Sequence, residues 1–585
     1  MDIGTVSLIL LCGMLFLLAI GMPLGFASGF LAVVVLVCRF EPNLLTDPFS
    51  FGEGSLTRVF GRGIANILSQ SEYGITTNYV LISVPLFIFM ATLLERSGIA
   101  RDMYNSLTWW MSRTRGGIAV VTALMAIVMA AMSGIIGGEV VLLGLIALPQ
   151  MLRLGYNQDL AIGTICASGS LGTMIPPSIV LIFYGLITET SIDALFRAAF
   201  LPGFILAGCY IVYILVRTRL HPEQAPLPEP KPDDPTFGEK GRLGLMLLAI
   251  IGTVFTSLIL LRFYLLVAFG RDLDDRALVG DGLILWSWII LAVSLVHIFV
   301  TSNFLLRTGD AAVATAGGAG GSGGYDTGIG TGIGAGSGIG TGSGIGRMGS
   351  RDLAREAWFR GKGMVAPLAV VFIVLGSIYG GITGITEAAG VGSFAVFLLI
   401  CLRGEFSFNL LKEASMRTFK STGTIIWVTF GAACLAGAYT IAGGPTYVAN
   451  LILGLDLPTM GVLLVMMVIF LFLGAFMDWT GIVLLVMPVF LPIVLKLPMN
   501  EIGLTGGFDS QTLLKVWFGV LFCVNMQVSF LSPPFGPAAF YLKSVAPPHI
   551  SLPQIFRGFL PFIGLQLLVL ALILCVPQVV TVFIS

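Results

Sequence analysis

The chain has 585 residues, 56% of them hydrophobic and 11% charged, with a mean hydropathy of +0.97. A soluble chain is about 25% charged, so an ordinary soluble protein is excluded. The 31 basic and 31 acidic residues cancel, which leaves no global field to draw the chain to nucleic acid or an anionic surface.

A charge at the centre of a bilayer costs at least about 2.5 kcal/mol, so uncharged runs mark the candidate spans. Twelve such runs of 19 or more residues follow in chain order: 3–38, 73–94, 116–138, 160–188, 198–216, 243–261, 282–306, 363–386, 421–455, 457–477, 516–542 and 558–585. Each suffices for a hydrocarbon core of about 30 Å. The first lacks a basic start and an A-x-A site, so it is expected to stay as a membrane helix rather than leave as a signal peptide. Shorter apolar runs at 140–152, 388–402 and 479–495 are cut from their predecessors by single acids, Glu139, Glu387 and Asp478.

Two polar segments interrupt this pattern. Residues 217–242 carry six prolines and suit an extended linker. Between Gly309 and Gly349 there are 18 glycines in 41 positions, a composition with too little apolar surface to offset its ordering entropy, so disorder is expected. Basic residues flank both (Arg217, Arg219, Lys240, Arg242; Arg307, Arg347, Arg351, Arg355, Arg360, Lys362), and the positive-inside rule puts both in the cytoplasm. Between them, 243–306 reads as one inserted helical hairpin. The expected organisation is a first half at 1–220, a Pro-rich linker at 221–242, the insertion at 243–306, a Gly-rich linker at 307–363 and a second half at 364–585.

No segment suits a soluble catalytic or ATP-hydrolysing domain. The G-x-G-x-x-G at Gly344, Gly346 and Gly349 lies in glycine low complexity with no strand before it, and there is no G-x-x-x-x-G-K-[ST]. The three histidines are far apart and the eight cysteines form no C-x-x-C, so neither a zinc site nor a disulfide framework is expected. No cofactor is expected.

The chain repeats itself. Pro176-Pro177 is followed by Phe183-Tyr184, Phe196-Arg197 and Phe200-Leu201-Pro202; Pro533-Pro534 is followed by Phe540-Tyr541, Phe556-Arg557 and Phe559-Leu560-Pro561. Upstream, Gly138 and Pro149 are echoed by Gly481 and Pro492, and Ser133-Gly134 falls close to Asp478. Paired prolines remove backbone donors and break a helix, and broken backbone at membrane depth survives only inside protein or beside water. Both pairs follow small polar residues, Ser168, Gly169, Ser170, Gly172 and Thr173 in one half, Asn525, Ser529 and Ser532 in the other. Duplicated broken helices point to the binding site of a secondary transporter; the plainer reading is two proline kinks with serines filling the freed bonds. Breaks at 132–139 and 477–481 have the pattern of re-entrant hairpins. They place Glu139 and Asp478 at matched tips, as functional acids, as water-exposed acids or, for Asp478, as a helix N-cap. Arg197 and Arg557 read as interfacial anchors, and Glu387 as a cap or a scaffold contact.

Gly172-Thr173-Met174-Ile175-Pro176-Pro177-Ser178, Thr386-Glu387-Ala388, Phe476-Met477-Asp478 and Leu531-Ser532-Pro533-Pro534-Phe535-Gly536 resemble the large membrane (permease) subunit of tripartite ATP-independent periplasmic (TRAP) transporters, over residues 1–220 and 364–585. The resemblance implies an all-α polytopic inner-membrane protein of two inverted repeats in an elevator-type ion-transporter fold. Re-entrant hairpins fall near 117–153 and 459–496, and proline-broken helices near 160–189 and 515–545. It implies sodium-driven import of organic acids such as C4-dicarboxylates, an extracytoplasmic substrate-binding subunit and a small four-helix membrane subunit as partners, and Na+ as coupling ion. Carried over by position, the ion and substrate residues are Ser133, Gly134, Gly138, Glu139, Ser168, Gly169, Ser170, Gly172, Thr173, Pro176 and Pro177, then Asp478, Thr480, Gly481, Asn525, Ser529, Ser532, Pro533 and Pro534. Many family members have a serine-rich tip where this chain has Ile135 to Glu139. Either backbone carbonyls replace side-chain ligands there, or Glu139 introduces proton coupling. The rival classes are a passive channel, which needs no duplicated re-entrant hairpins, and an intramembrane enzyme, which would need a nucleophile with a base or paired catalytic carboxylates on facing helices.

Overall fold

The computed structural model describes residues 2–40, 64–112, 114–227, 240–241, 243–245, 350–380, 383–454, 457–504, 506–534 and 536–584. The expected 243–306 hairpin and the glycine tract lie almost wholly outside them. The described residues are helical, without a strand among them. The chain divides into two compact units: Met1–Tyr104 with Thr114–Leu227 and Ala366–Ser585, and Asn105–Arg113 with Pro228–Val365. In the second, Lys240 Nζ donates to the Trp109 carbonyl (3.0 Å) and the Ser112 hydroxyl (2.6 Å).

In chain order the helices are α1 (Ile3–Ala19), α2 (Leu24–Phe40), α3 (Ile64–Thr76), α4 (Ser83–Arg96), α5 (Ile99–Met111), α6 (Gly117–Ser133), α7 (Ile136–Arg153), α8 (Gln158–Ser170), α9 (Ile179–Thr188), α10 (Ile192–Leu220), α11 (Ser350–Tyr379), α12 (Ile385–Leu402), α13 (Phe408–Ile441), α14 (Gly444–Leu453), α15 (Thr459–Gly474), α16 (Trp479–Val494), α17 (Gln511–Leu531), α18 (Pro537–Lys543), α19 (Leu552–Cys575) and α20 (Gln578–Thr581). Eight helices among the described residues are long and apolar enough to cross a membrane: Tyr79–Arg96, Ile136–Arg153, Ile192–Leu220, Ala357–Tyr379, Ile385–Leu402, Phe408–Ile441, Gln511–Leu531 and Leu552–Cys575.

Counting uncharged runs misplaced several boundaries. The run 3–38 is two helices, because Pro23 lacks a donor and Gly21 takes φ +84° in the turn before it. Helix α11 starts at Ser350, so the end of the expected 307–363 linker is helical. Helix α13 begins well before the run 421–455; its first turns carry Lys412, Glu413, Arg417 and Lys420. A charged helical surface is stable where the charges face water or partners, so charge ends an apolar run without ending a helix.

The larger unit contains two groups of helices. In one, α13 packs along α2, α3 and α4, α12 lies on α4, and α1 on α2. Glu387, in the first turn of α12, accepts a bond from Tyr79 Oη (3.1 Å). After α12, Arg403 bonds Glu405 (2.7 Å) and Asp102 (2.5 Å), and the Glu405 bond first of all raises its guanidinium pKa above the ordinary range. The second group is built twice. Helices α6 and α7 form one hairpin, with α8 and α9 as a broken helix; α15 and α16 form the other hairpin, with α17 and α18 as its broken helix. Helix α8 lies on both arms of the first hairpin and α17 lies on α15. The short distal pieces cross over: α9 packs on α16 and α18 on α7. Phe183 of α9 meets Trp479 of α16 with ring centroids 5.7 Å apart.

Candidate functional site

Both helix breaks form where paired prolines withdraw backbone donors. Helix α8 tightens into a 3-10 turn at Leu171–Thr173 and stops. Ser178 restarts the chain as N-cap of α9, accepting from Leu181 N (3.4 Å) while its hydroxyl donates to the Thr173 carbonyl. In the second half α17 ends at Leu531, and Ser532-Pro533-Pro534 leads to α18. Both Pro-Pro bonds are cis.

The first hairpin closes tightly on its broken helix. Its turn is Gly134, at φ +64°, a conformation that favours glycine. A side chain at Gly134 would come within 2.7 Å of the Pro177 carbonyl. Glu139, in the first turn of α7, is 1% exposed, and Ser133 Oγ donates to its Oε1. The carboxylate lies against Gly172, where any side chain would overlap it. A negative group in the first turn of a helix also meets the favourable end of the helix dipole. Its second oxygen, Oε2, is buried and has no hydrogen-bond partner, and neither has the Ser168 hydroxyl.

The predicted residues are thus partly assembled. Ser133, Gly134, Gly138, Glu139, Gly169, Gly172 and Pro177 converge, Gly169 lying directly on Val140 of α7. Ser170 and Thr173 bond back to Ala167 and Ser170 carbonyls (2.8 and 3.0 Å); Pro176 is buried in the break.

The second half is more open. Asn525 Nδ2 donates to the Met467 carbonyl (3.0 Å), and its Oδ1 is buried without a partner. Ser529 faces Gly474 of α15, and Ser532 bonds back to the Val528 carbonyl (2.8 Å). Asp478 is exposed at the N-cap position of α16 and accepts from Thr480 Oγ1 (2.9 Å). The two acids are therefore held differently: Glu139 lies inside the first turn of α7 and accepts from Ser133, while Asp478 stands at the N-cap position of α16 and accepts from Thr480. Pro533 and Pro534 are exposed, unlike Pro176 and Pro177. Gly481 packs against Leu24 and Met477, away from α17. Arg197 and Arg557 bond Asp193 (2.9 Å) and Asp159 (3.4 Å) at partly exposed positions, outside both clusters.

Four participants were not among the predicted site residues. Gln527 Nε2 donates to Thr173 Oγ1 (2.7 Å) and ties the two broken helices together. Glu95 of α4 and Arg417 of α13 form an ion pair at 2.7 Å. Tyr541 of α18 stacks its ring over Gly137. Glu95, Arg417 and Tyr541 line a cavity of about 200 Å³ beside the first hairpin. Gln527 was legible as a buried-looking amide inside an apolar run. Glu95 and Arg417 only marked the ends of runs.

The polar atoms gathered at the two breaks are hydroxyl, amide, carboxylate and carbonyl oxygens, hard donors of the kind that suit Na+, Mg2+ or Ca2+. Among the described residues no three His, Cys, Asp or Glu side chains group together. The unpartnered oxygens, of Glu139 and Ser168 in the first half and of Asn525 and Gln527 in the second, are donors of that class.

The family model for the tripartite ATP-independent periplasmic transporter, DctM component, matches residues 11–268 and 339–579. Its first match runs through the first apolar run of the expected insertion, so the unmatched segment between the two is 269–338, narrower than the sequence reading had it. The C4-dicarboxylate TRAP transporter large permease protein DctM of Pseudomonas aeruginosa is 23% identical, over 90% of this chain and 91% of that one. The sialic acid TRAP transporter large permease protein SiaM of Vibrio cholerae is 22% identical, over 97% and 95%. The isethionate TRAP transporter permease protein DctMQ of Oleidesulfovibrio alaskensis is 22% identical, over 97% of this chain and 68% of that one. These relatives are transporter permeases, not enzymes. With its duplicated hairpins, its broken helices and a family match across most of its length, the chain belongs to the DctM family: it is a TRAP transporter large permease subunit, a multi-pass protein of the bacterial inner membrane that works with other TRAP subunits.

Proposed function

We propose that this subunit carries an organic acid into the cell with sodium, the acid being delivered by an extracytoplasmic binding subunit. The observation that supports it most is the set of buried oxygens without partners at both helix breaks. Leaving a buried polar group unpaired costs about 1–3 kcal/mol, and a cation relieves several at once. In the first half, the Ser168 hydroxyl and the backbone around Gly134 and Pro177 would hold it. In the second, Asn525 Oδ1, Ser529 and Ser532 would do so, with Asp478 at the hairpin tip. Bound sodium supplies positive charge that lowers the cost of bringing a carboxylate beside the broken helices, whose N-termini already favour anions.

The group of α6 to α9 and α15 to α18 then acts as the mobile part, sliding against α1 to α4, α12 and α13. A small membrane subunit is the expected partner of the scaffold. Proton coupling through Glu139 is the competing reading, favoured by its burial.

Sodium titration of the purified chain in lipid nanodiscs tests the ion site. Sodium should raise the thermal midpoint where potassium and choline do not, and Asn525→Ala should weaken the effect about tenfold in sodium concentration. Equal stabilisation by all three cations would remove the site.

A further inference from the structure

A second cavity, of about 280 Å³, lies between α1 and α13, with Val448 of α14, on one side and the second hairpin, α15 and α16, on the other. Leu10, Leu11, Met14, Leu435, Leu473 and Leu485 dominate its wall, and no charged residue among the described ones lines it. The hydroxyls of Ser7 and Tyr439, at its edge, bond each other at 2.8 Å.

The surroundings identify what fills it. On one side Leu11 is 49% exposed and continues the row of exposed Leu8 and Leu15 along α1, so the cavity opens where this helix meets lipid. On the other side Ala436, Thr440 and Pro488 also line a cavity of about 700 Å³ whose wall carries Gln70, Asn78, Glu189 and Thr429. One apolar passage therefore stands between a polar cavity and the bilayer interior. Water is a poor occupant of such a passage, since apolar cavities of about 150 Å³ stay dry and take up small apolar ligands. A protein helix is too large: a length of about 10 Å, the reach of α1 from Ser7 to Met14, would fill at least about 800 Å³ with its side chains. A single hydrocarbon chain fits, and it gains dispersion contacts with the leucines on both walls.

We propose that one acyl chain of a membrane phospholipid lies in this cavity, wedged between α1 and α13 and the second hairpin, and closes the passage from the polar cavity to the bilayer. The site itself does not depend on the transport reading above; its effect on sliding does. Its two walls belong to groups that slide past each other in that reading, so the cavity is complete only in the present arrangement. A chain that fills it favours this arrangement by as much as it binds it better than the others.

Photolabelling of the full chain tests the site. The probe is a phosphatidylcholine with a diazirine on one acyl chain, as a minor component of nanodiscs of phosphatidylethanolamine and phosphatidylglycerol, and the labelled residues are read by peptide mass spectrometry. Met14, 4% exposed, and Leu485 should be labelled along with the lipid-facing Leu8 and Phe472. Ala436→Phe, which fills the cavity from its wall, should lower the label on Met14 and Leu485 about tenfold and leave that on Leu8 and Phe472 unchanged. Label confined to Leu8 and Phe472 in the unaltered chain, or label on Met14 and Leu485 that Ala436→Phe does not reduce, overturns the assignment. Loss of that label when the small membrane subunit is added gives the cavity to the subunit and overturns it equally. Should Ala436→Phe not fold, Ala436→Leu is the second arm, with a smaller loss at the same two residues. The effect on sliding is read from cysteines at Leu24 and Gly481, which touch in this arrangement: adding phosphatidylethanolamine to the delipidated chain should raise their cross-linking about threefold, and an unchanged yield overturns that effect. Labelling requires no sodium gradient, substrate or binding subunit, so its failure and a failure of the transport reading are separate results.

Discussion

Gly172 and the Glu139 carboxylate share one small volume, so the absence of a side chain at the first is what allows the second to be there. Gly172→Ala should displace the carboxylate, cost about 1–3 kcal/mol as overpacking does, and reduce uptake at least tenfold; thermal denaturation and transport assays read the two effects. Gly134→Ala faces a different obstacle, since an L-residue in the left-handed region costs about 1–2 kcal/mol and the Pro177 carbonyl stands in the way. Its stability loss should persist when Glu139 is replaced, whereas that of Gly172→Ala should shrink in a Glu139→Ala background. At this scale the sequence shows Glu139, because a lone acid interrupting an apolar run is conspicuous. It hides Glu95 and Arg417, whose meeting depends on how α13 crosses α4.

Among elements, the bond from Gln527 to Thr173 connects two broken helices that lie far apart in the chain. Thr173→Val leaves a buried amide donor unpaired and should lower stability by about 1–3 kcal/mol. Adding Gln527→Met should restore part of the loss, since removing both partners is cheaper than removing one. A thermal-shift cycle over the four variants reads the coupling. The breaks themselves are readable from the proline pairs, and the hairpins from Gly134 and Asp478, because backbone chemistry acts locally. The setting of each acid is not local. Glu139 is buried because α8 closes over it through Gly169 and Gly172, while Asp478 stands at the N-cap position of α16. The repeat in the sequence is thus more symmetric than the structure built on it.

For the whole molecule, few charges and alternating helix groups give a membrane subunit, and the family match makes it a TRAP large permease. Transport by sliding requires the hairpin group to leave its present contacts with the scaffold, one of which is Gly481 of α16 against Leu24 of α2. Cysteines at Leu24 and Gly481, joined by a short cross-linker in a background with the exposed Cys12 and Cys401 replaced, should abolish uptake, and reduction of a cleavable linker should restore it. Uptake that survives the cross-link would show that this contact need not break.

The most direct measurement is uptake by the complete transporter, the chain with its binding and small membrane subunits, in proteoliposomes under an imposed sodium gradient. Inward sodium should drive accumulation of the delivered acid, and collapsing the gradient should end it. Accumulation unaffected by sodium, following a proton gradient or none, would contradict the ion site proposed at the two helix breaks.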